Sequence, residues 1–179
     1  MLLFKIIIIG LILIINLIIG LLMLGSIIGH IMGSPFFPSS DKNVRKMIKL
    51  AELKDTDVVF DLGCGDGRII FAAEKHCQKS IGIEGSFFVY LLALFRKFIS
   101  NNKAEIRRQN IFDTKDLADA NVIFVFLLPA MMEKFYQKIF PSLKNGTKII
   151  SNGFNIKSLK PTKTIPREKN EHPVYLFIK

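Results

Sequence analysis

Three glycines at alternate positions, directly after an apolar run, constrain this chain more than any other feature. Residues 58–62, Val-Val-Phe-Asp-Leu, have strand character, and Gly63, Gly65 and Gly67 follow them. From Arg68 onward the pattern becomes helical. Glycines at this spacing let the backbone turn tightly and approach a ligand, and the following helix presents free N–H groups. The sequence predicts a strand, a ligand-binding loop and a helix. The alternative is an ordinary glycine-rich turn.

The residues around the glycines narrow the choice of ligand. The dinucleotide fingerprint G-x-G-x-x-G requires glycine at the position that Arg68 occupies here. Asp61, before the first glycine, suits a ligand with a cationic amine better than one with a pyrophosphate. The segment resembles the S-adenosylmethionine loop of Rossmann-like methyltransferases, which implies that cofactor and backbone contacts to it from Gly63, Cys64, Gly65 and Gly67.

Strands and helices alternate along the rest of the chain, which predicts a doubly wound α/β sheet of the Rossmann-like, S-adenosylmethionine-dependent methyltransferase type. The predicted strands are 57–62, 79–84, 104–109, 121–128, 147–151, 162–165 and 174–178, and the predicted helices are 41–53, 68–76, 86–99 and 129–140. The helix over 86–99 is apolar on nearly every face, so we expect it to be well buried.

A long apolar run near the start predicts a membrane anchor. Residues 6–28 carry no charge, and as a helix they would cover the hydrocarbon core of a bilayer, which is about 30 Å thick. Only Lys5 is basic before the run, whereas five basic residues follow it by residue 54, which predicts a single-pass protein with its carboxy-terminal domain in the cytoplasm. An organellar inner membrane is the alternative. The expected organisation is an anchor over 1–31, a linker and pre-core helix over 32–56, and the methyltransferase domain over 57–179.

Charge and cysteine content limit the partners. The net charge of +10 favours an anionic membrane surface as a partner, and because the basic residues are dispersed, nucleic acid is not expected. Cys64, Cys77 and the three histidines form no ligand pattern, so no metal is expected.

Three positions are predicted to hold the cofactor. Asp61 ends the first strand, at the sheet edge where open α/β folds bind ligands, and would accept from the ammonium group. Glu84 ends the second strand, where an acid can bind both ribose hydroxyls. Asn110 and Ile111 follow the third strand, where Asn110 would meet the adenine edge and Ile111 would pack on the ring. Asp113 is an alternative to Asn110.

The order of several motifs resembles one group of enzymes. The motifs are Pro35-Phe-Phe-Pro-Ser39 before a capped helix, the glycine loop, Phe126-Leu-Leu-Pro129 and Ser151-Asn-Gly-Phe154. They are similar to the membrane-anchored protein-lysine methyltransferases that act on the ATP synthase c-subunit and the adenine nucleotide translocase, and to archaeal relatives. Two departures are Asn110, where an aspartate is frequent, and Phe126, which lacks the hydroxyl of the usual tyrosine.

This resemblance implies methyl transfer to a lysine of a membrane-associated protein. A neutral amine must approach the sulfonium methyl in line, so the channel should have apolar walls and no charge. Phe37 and Phe36 could close it, or could be plain core or bilayer-interface residues. The channel residues are predicted to be Phe126, Leu127, Leu128, Pro129, Asn152 and Phe154, with no general base assigned.

Two other functions stay open. A small-molecule or lipid methyltransferase would use a histidine or tyrosine as a base, and no candidate stands out in the sequence. A non-catalytic S-adenosylmethionine-binding membrane protein would have no need of Asp61, Glu84 and three glycines together. A methyl-transferring enzyme is therefore the favoured hypothesis.

Overall fold

A computed structural model describes residues 2–31 and 37–179 and, within the first range, the side chains of residues 4–20 and 23. The chain divides into two compact units, Met1–Phe36 and Phe37–Lys179. The described part of the first unit is one helix, α1 (Leu2–Ile31). Apolar side chains such as Phe4, Ile9 and Leu13 are exposed on it.

The predicted membrane anchor and the single-pass localisation are contradicted. Among the described residues, no helix has the length and apolar character that a membrane crossing requires. The placement of the following domain in the cytoplasm, or inside an organelle, depended on the anchor and is withdrawn with it.

The second unit is built on a seven-stranded mixed sheet in the order β3-β2-β1-β4-β5-β7-β6. Strands β1 to β5 run parallel to one another, and β7 runs antiparallel to both β5 and β6. The strands are β1 (Val58–Leu62), β2 (Lys79–Glu84), β3 (Glu105–Arg108), β4 (Val122–Val125), β5 (Lys148–Asn152), β6 (Lys163–Ile165) and β7 (Val174–Ile178). Every predicted strand is therefore present, and the carboxyl ends of β1, β2, β4 and β5 meet at one edge.

Helices cover both faces because the side chains of the central strands alternate. Val59, Val122 and Phe124 face a core shared with α2 (Asp41–Ala51) and α3 (Arg68–Ala73). Phe60 and Ile123 face the opposite core, which is shared with α5 (Pro129–Lys138). Ser40 begins α2 by accepting a hydrogen bond from the Asn43 N–H (3.1 Å). The two cores hold the sheet edge rigid beneath the loops.

The helix α4 (Phe87–Ser100) does not have the burial that its composition predicted. Ala93 is its buried residue, whereas Phe98 is 83% exposed. This helix covers β2 and the four-residue strand β3 at the edge of the sheet, so no further strand lies beyond it to bury its outer face. The exposed large apolar side chains of α4 are Phe87, Leu91, Leu92, Phe95, Phe98 and Ile99.

The fourth strand is shorter than the predicted 121–128. It ends at Val125, and residues 126–128 lead directly into α5. Pro129 is the first helical residue, where its missing N–H costs nothing, and it holds Leu128 in an extended conformation. Phe126, Leu127 and Leu128 are thus released from the sheet at its carboxyl edge.

Candidate functional site

The glycine loop leaves β1 with a backbone path that favours glycine. Gly63, Gly65 and Gly67 have φ values of 82°, 58° and 83°. A residue with a Cβ is strained in this left-handed region. The Gly65 N–H donates to the Glu84 carboxylate over 3.1 Å, which ties the middle of the loop to the end of β2. The predicted turn and the predicted second acid are thereby brought together.

Asp61 is the most informative side chain at this edge. It is 2% exposed, and its Oδ2 atom is buried without a hydrogen-bond partner among the described residues. Burial raises the pKa of Asp61 well above its usual value, and the nearby charges of Glu84 and Asp66 raise it further. A buried carboxylate oxygen without a donor is costly, so the site favours a ligand that brings a cationic donor.

Both oxygens of the Glu84 carboxylate accept hydrogen bonds from the backbone. One oxygen accepts from the Gly65 N–H and the other accepts from the Ser86 N–H at 2.7 Å. Burial raises the pKa of Glu84, and these backbone hydrogen bonds act in the opposite direction. Each carboxylate oxygen can accept two hydrogen bonds, so Glu84 can brace the loop and still accept from ribose hydroxyls.

Asp66 joins the loop to two arginines rather than simply capping α3. Its carboxylate accepts from Arg68 Nη2 at 2.7 Å and also pairs with Arg96 of α4. Burial alone would raise the pKa of Asp66, but the hydrogen bonds and charge of Arg68, helped by Arg96, outweigh burial and lower that pKa. The Arg68 N–H at the start of α3 also donates a long hydrogen bond of 3.4 Å to Asp66 Oδ1.

Cys64 contributes backbone to the loop, while its side chain belongs to the core. The thiol packs with Ile70 and Ala104, and its pKa is raised well above the usual value by burial and then by the nearby carboxylates. A Cβ on Gly82 of β2 would come within 2.7 Å of the Cys64 sulfur. Glycine at position 82 therefore allows the loop and α3 to sit close to the sheet.

The residues predicted to contact adenine are engaged in contacts with the protein itself. The Asn110 side chain accepts from the Phe112 N–H (3.1 Å) and begins the 3₁₀ turn Ile111–Asp113. Ile111 is 8% exposed and packs into the core shared with α5. Both lie after β3, two strands from Asp61, so their contact with an adenine ring stays a prediction.

On the other side of the glycine loop, the segment released from β4 forms an apolar wall. Leu127 is buried, and its Cδ2 atom lies 3.6 Å from where a Cβ on Gly63 would be. Leu128 and Pro129 are exposed at the start of α5. The predicted channel residues 126–129 are therefore next to the predicted cofactor loop.

Phe126 is the centre of a group of rings, which we call the ring cluster: Phe37, Phe126, Phe154 and His172. The centroid of the Phe126 ring lies 6.1 Å from that of Phe37, 6.2 Å from Phe154 and 5.5 Å from His172. Phe37 is exposed and the other three are partly buried. Phe36, the other predicted lid residue, lies outside the described residues.

Asn152 lies beneath this cluster rather than on its surface. It is fully buried, its carbonyl oxygen accepts from Asn43 Nδ2 (2.7 Å), and its amide donates to Ser39 Oγ (2.8 Å). These bonds join the end of β5 to the start of α2. Asn152 is therefore not available to line a channel, and of the residues predicted after β5 only Phe154 lies in the ring cluster.

Sequence reasoning missed three residues of this edge: His172, Asn43 and Ser39. Asn43 also donates to the His172 carbonyl over 3.1 Å, which places His172 above the end of β5. That contact depends on β7 returning antiparallel beside β5, so that Val174 lies opposite Asn152. From the sequence alone, His172 could have been found only if it stood in a recognisable motif. An isolated His-Pro pair is not such a motif.

Together these features form one site with two different sides. The buried Asp61 and the half-buried Glu84 lie beside the glycine loop at the ends of β1 and β2, and the rings of Phe126 and Phe154 lie after β4 and β5. Over the described ranges, no cluster of three or more histidine, cysteine, aspartate or glutamate side chains could hold a metal ion. The partnerless Asp61 oxygen and the adjacent loop fit the ammonium and the carbon chain of S-adenosylmethionine.

Comparisons with known proteins agree with this geometry. A family model described as the ANTKMT methyltransferase domain matches residues 61–163. A protein-lysine N-methyltransferase of Saccharolobus islandicus (strain REY15A) is 35% identical over 150 residues, which is 80% of this chain and 92% of that protein. The Xenopus laevis lysine N-methyltransferase that is named for the ATP synthase c-subunit is 25% identical over 67% of this chain, and this match spans 53% of that protein.

A solved structure supports the fold and the cofactor. The RNA methyltransferase from Salinibacter ruber in complex with S-adenosyl-L-homocysteine has a TM-score of 0.72 and is 29% identical. The match covers 79% of this chain and 93% of that one. The predicted resemblance, the methyltransferase fold and the cofactor are confirmed, while the roles of individual site residues stay predictions.

Proposed function

This chain belongs to the ANTKMT methyltransferase domain family and is an S-adenosylmethionine-dependent methyltransferase, and on that premise we propose that it methylates a lysine side chain of a protein. The cofactor supplies an electrophilic methyl group on a sulfonium. The relatives named as protein-lysine N-methyltransferases support a protein as the acceptor. The observation that carries the proposal is that the phenyl rings of Phe126 and Phe154, which carry no charge, lie beside the cofactor loop.

Lysine methylation makes that character useful. An ammonium has no free electron pair, so the amine must be neutral when it meets the methyl group. An apolar environment disfavours the charged form of an amine. Phe126 and Phe154 present no charge, and Leu127 brings this wall next to Gly63. Holding the amine in line with the methyl group accounts for most of the remaining rate.

The other side of the site would hold the cofactor. Asp61 would accept from the ammonium, which gives its buried oxygen a donor, and Glu84 would accept from the ribose hydroxyls while it braces Gly65. The backbone of the glycine loop would lie against the cofactor. Asn110 and Ile111 would meet the adenine at the far end, and Leu128 and Pro129 would flank the entrance of the channel.

A second function is favoured by one observation. The imidazole of His172 stands in the ring cluster, 5.5 Å from the Phe126 centroid. An imidazole can take a proton from a hydroxyl as well as from an amine, so methylation of a small molecule or lipid is the alternative. The named relatives favour lysine.

The test is methyl transfer from tritiated S-adenosylmethionine to a whole extract of the source cells, which is then separated into organic-solvent, RNA and protein fractions before the protein is hydrolysed in acid to amino acids. Label is expected in methyl-lysine with the intact chain and to be absent with Asp61→Asn. Asp55→Asn is the matched control, since Asp55 is an exposed carboxylate in the turn before β1, and it should retain full transfer. Label that stays in the organic-solvent or RNA fraction would contradict the proposal.

A further inference from the structure

His172 stands where the acceptor amine of the proposed reaction would enter. It lies in the segment before β7, and its ring centroid is 5.5 Å from that of Phe126 and 6.1 Å from that of Phe37. Phe126 in turn leads to Leu127, which adjoins the glycine loop at Gly63. The imidazole therefore belongs to the acceptor side of the site.

The backbone around His172 is held firmly. The Asn43 amide donates to the His172 carbonyl over 3.1 Å, and the Gly153 N–H donates to the Pro173 carbonyl over 2.8 Å. A Cβ on Gly153 would lie 3.6 Å from His172 Cγ and 3.0 Å from Phe126 Cε2. Glycine at position 153 therefore lets the His172 and Phe126 rings approach the end of β5 together.

The site needs a proton acceptor that its other residues do not supply. A lysine reaches the enzyme mostly as an ammonium, and its proton must leave before the nitrogen can attack. Asp61 is buried and Glu84 half-buried on the cofactor side, and Phe126, Phe154 and Phe37 carry no titratable group. Imidazole is the side chain suited to accept a proton near neutral pH.

Building on the proposed function, we propose that His172 accepts the proton of the substrate ammonium. The N–H bond breaks, and the proton moves to an imidazole nitrogen, directly or through one water. The freed electron pair forms the N–CH₃ bond while the S–CH₃ bond breaks, and its electrons stay on the sulfur. The imidazolium then releases its proton to solvent, so the enzyme returns to its starting state.

One charged residue adjoins His172 in the chain. Glu171 precedes it and accepts a hydrogen bond from Ser40 Oγ, at the start of α2. The ends of β4 and β5 present the uncharged Phe126, Asn152, Gly153 and Phe154. Replacing His172 alone therefore removes one titratable group from the ring cluster and leaves these neighbours in place.

The activity test compares His172→Phe, which keeps an aromatic ring but cannot take a proton, with His76→Phe at an exposed histidine of the turn after α3. With extract protein as acceptor, His172→Phe is expected to lower kcat by about 10²–10⁴-fold, the usual contribution of a general base. Its KM for S-adenosylmethionine should stay within about twofold of the original, and His76→Phe should behave as the unaltered chain. Added imidazole should restore part of the activity of His172→Ala.

A binding readout complements the rates. The measurement is the NMR signal of the His172 ring in the protein loaded with S-adenosylhomocysteine, assigned by its loss in His172→Phe. This signal is expected to shift when Nα-acetyl-lysine amide is added. Nα-acetyl-norleucine amide should leave that signal and the His76 signal unchanged. The assignment of His172 is overturned if His172→Phe keeps more than about a third of kcat, if imidazole does not rescue His172→Ala, or if the signal does not respond. Failure of the proposed function would be seen in a different experiment, the tritium-transfer test. There the unaltered chain would place label in products other than methyl-lysine.

Discussion

The two sides of the site solve opposite electrostatic problems. At the end of β1, the buried Asp61 carboxyl has an oxygen without a hydrogen-bond partner among the described residues, whereas Asp66 in the glycine loop is paired with Arg68 and Arg96. At β4 and β5, Phe126 and Phe154 offer no charge to an amine that must become neutral. Under the proposed function, one sheet edge would hold the cofactor ammonium at Asp61 and would place the acceptor amine beside uncharged rings.

The largest effect is expected from removing the charge at Asp61. Asp61→Asn should weaken S-adenosylmethionine binding by about 100-fold or more, because it leaves the ammonium buried without its counter-charge, a loss of about 3–5 kcal/mol. Isothermal titration gives the affinity, with Asp55→Asn as control. Binding within about threefold of the original would show that Asp61 does not hold the ammonium.

The matching change on the other side is Phe126→Ala. It removes the ring that contacts Phe37, Phe154 and His172, so misplacement of the acceptor should lower kcat/KM for the protein acceptor by about 10–100-fold. Affinity for S-adenosylmethionine should change by less than about threefold. If Phe126→Ala lowered kcat/KM for the protein acceptor and the affinity for S-adenosylmethionine by equal factors, the acceptor side and the cofactor side would not be separate.

Asn152 lies below the ring cluster, and Asn152→Ala should lower the free energy of unfolding. It removes the acceptor of the 2.7 Å bond from Asn43 and the donor to Ser39. Leaving buried polar groups unpaired costs about 1–3 kcal/mol. Urea unfolding measures the change, and Asn145→Ala in the exposed turn before β5 is the control. No loss of unfolding free energy would contradict the structural role given to Asn152.

The smallest effect is a pH dependence of the unliganded protein. The pKa of Asp61 is raised by burial, then by Glu84 and Asp66. The folded state therefore keeps a proton that the unfolded state has already released, and stability falls as the pH rises from the ordinary carboxyl range through the raised pKa. Asp61→Asn should remove this slope above the ordinary carboxyl range. If the free energy of unfolding depended on pH equally in the unaltered protein and in Asp61→Asn, the raised pKa of Asp61 would be contradicted.

Local patterns predicted most of the fold and the cofactor side. The glycine loop, Asp61 and Glu84 lie within a short stretch, so their meeting follows from two parallel strands and one turn. Asn43 and Asn152 lie 109 positions apart and meet only because α2 packs over β5. His172 reaches the site through the antiparallel return of β7, for which a sequence has no local signal.

The errors have the same origin. The burial predicted for α4 assumed neighbours on every side, whereas β3 is the edge strand of the sheet. The fourth strand was extended through Leu128 because apolar residues alone do not show where a strand leaves its sheet. An apolar pattern reports what a residue could bury, and the topology decides whether a partner exists.

The division of the site into a charged and an uncharged side is tested by a crystal structure with S-adenosylhomocysteine and a lysine-containing acceptor peptide bound. We expect the cofactor amino group within hydrogen-bond distance of the Asp61 carboxylate. We expect the lysine nitrogen among Phe126, Phe154 and His172, facing the sulfur. A cofactor amino group away from Asp61, or a lysine that enters outside the ring cluster, would contradict this division.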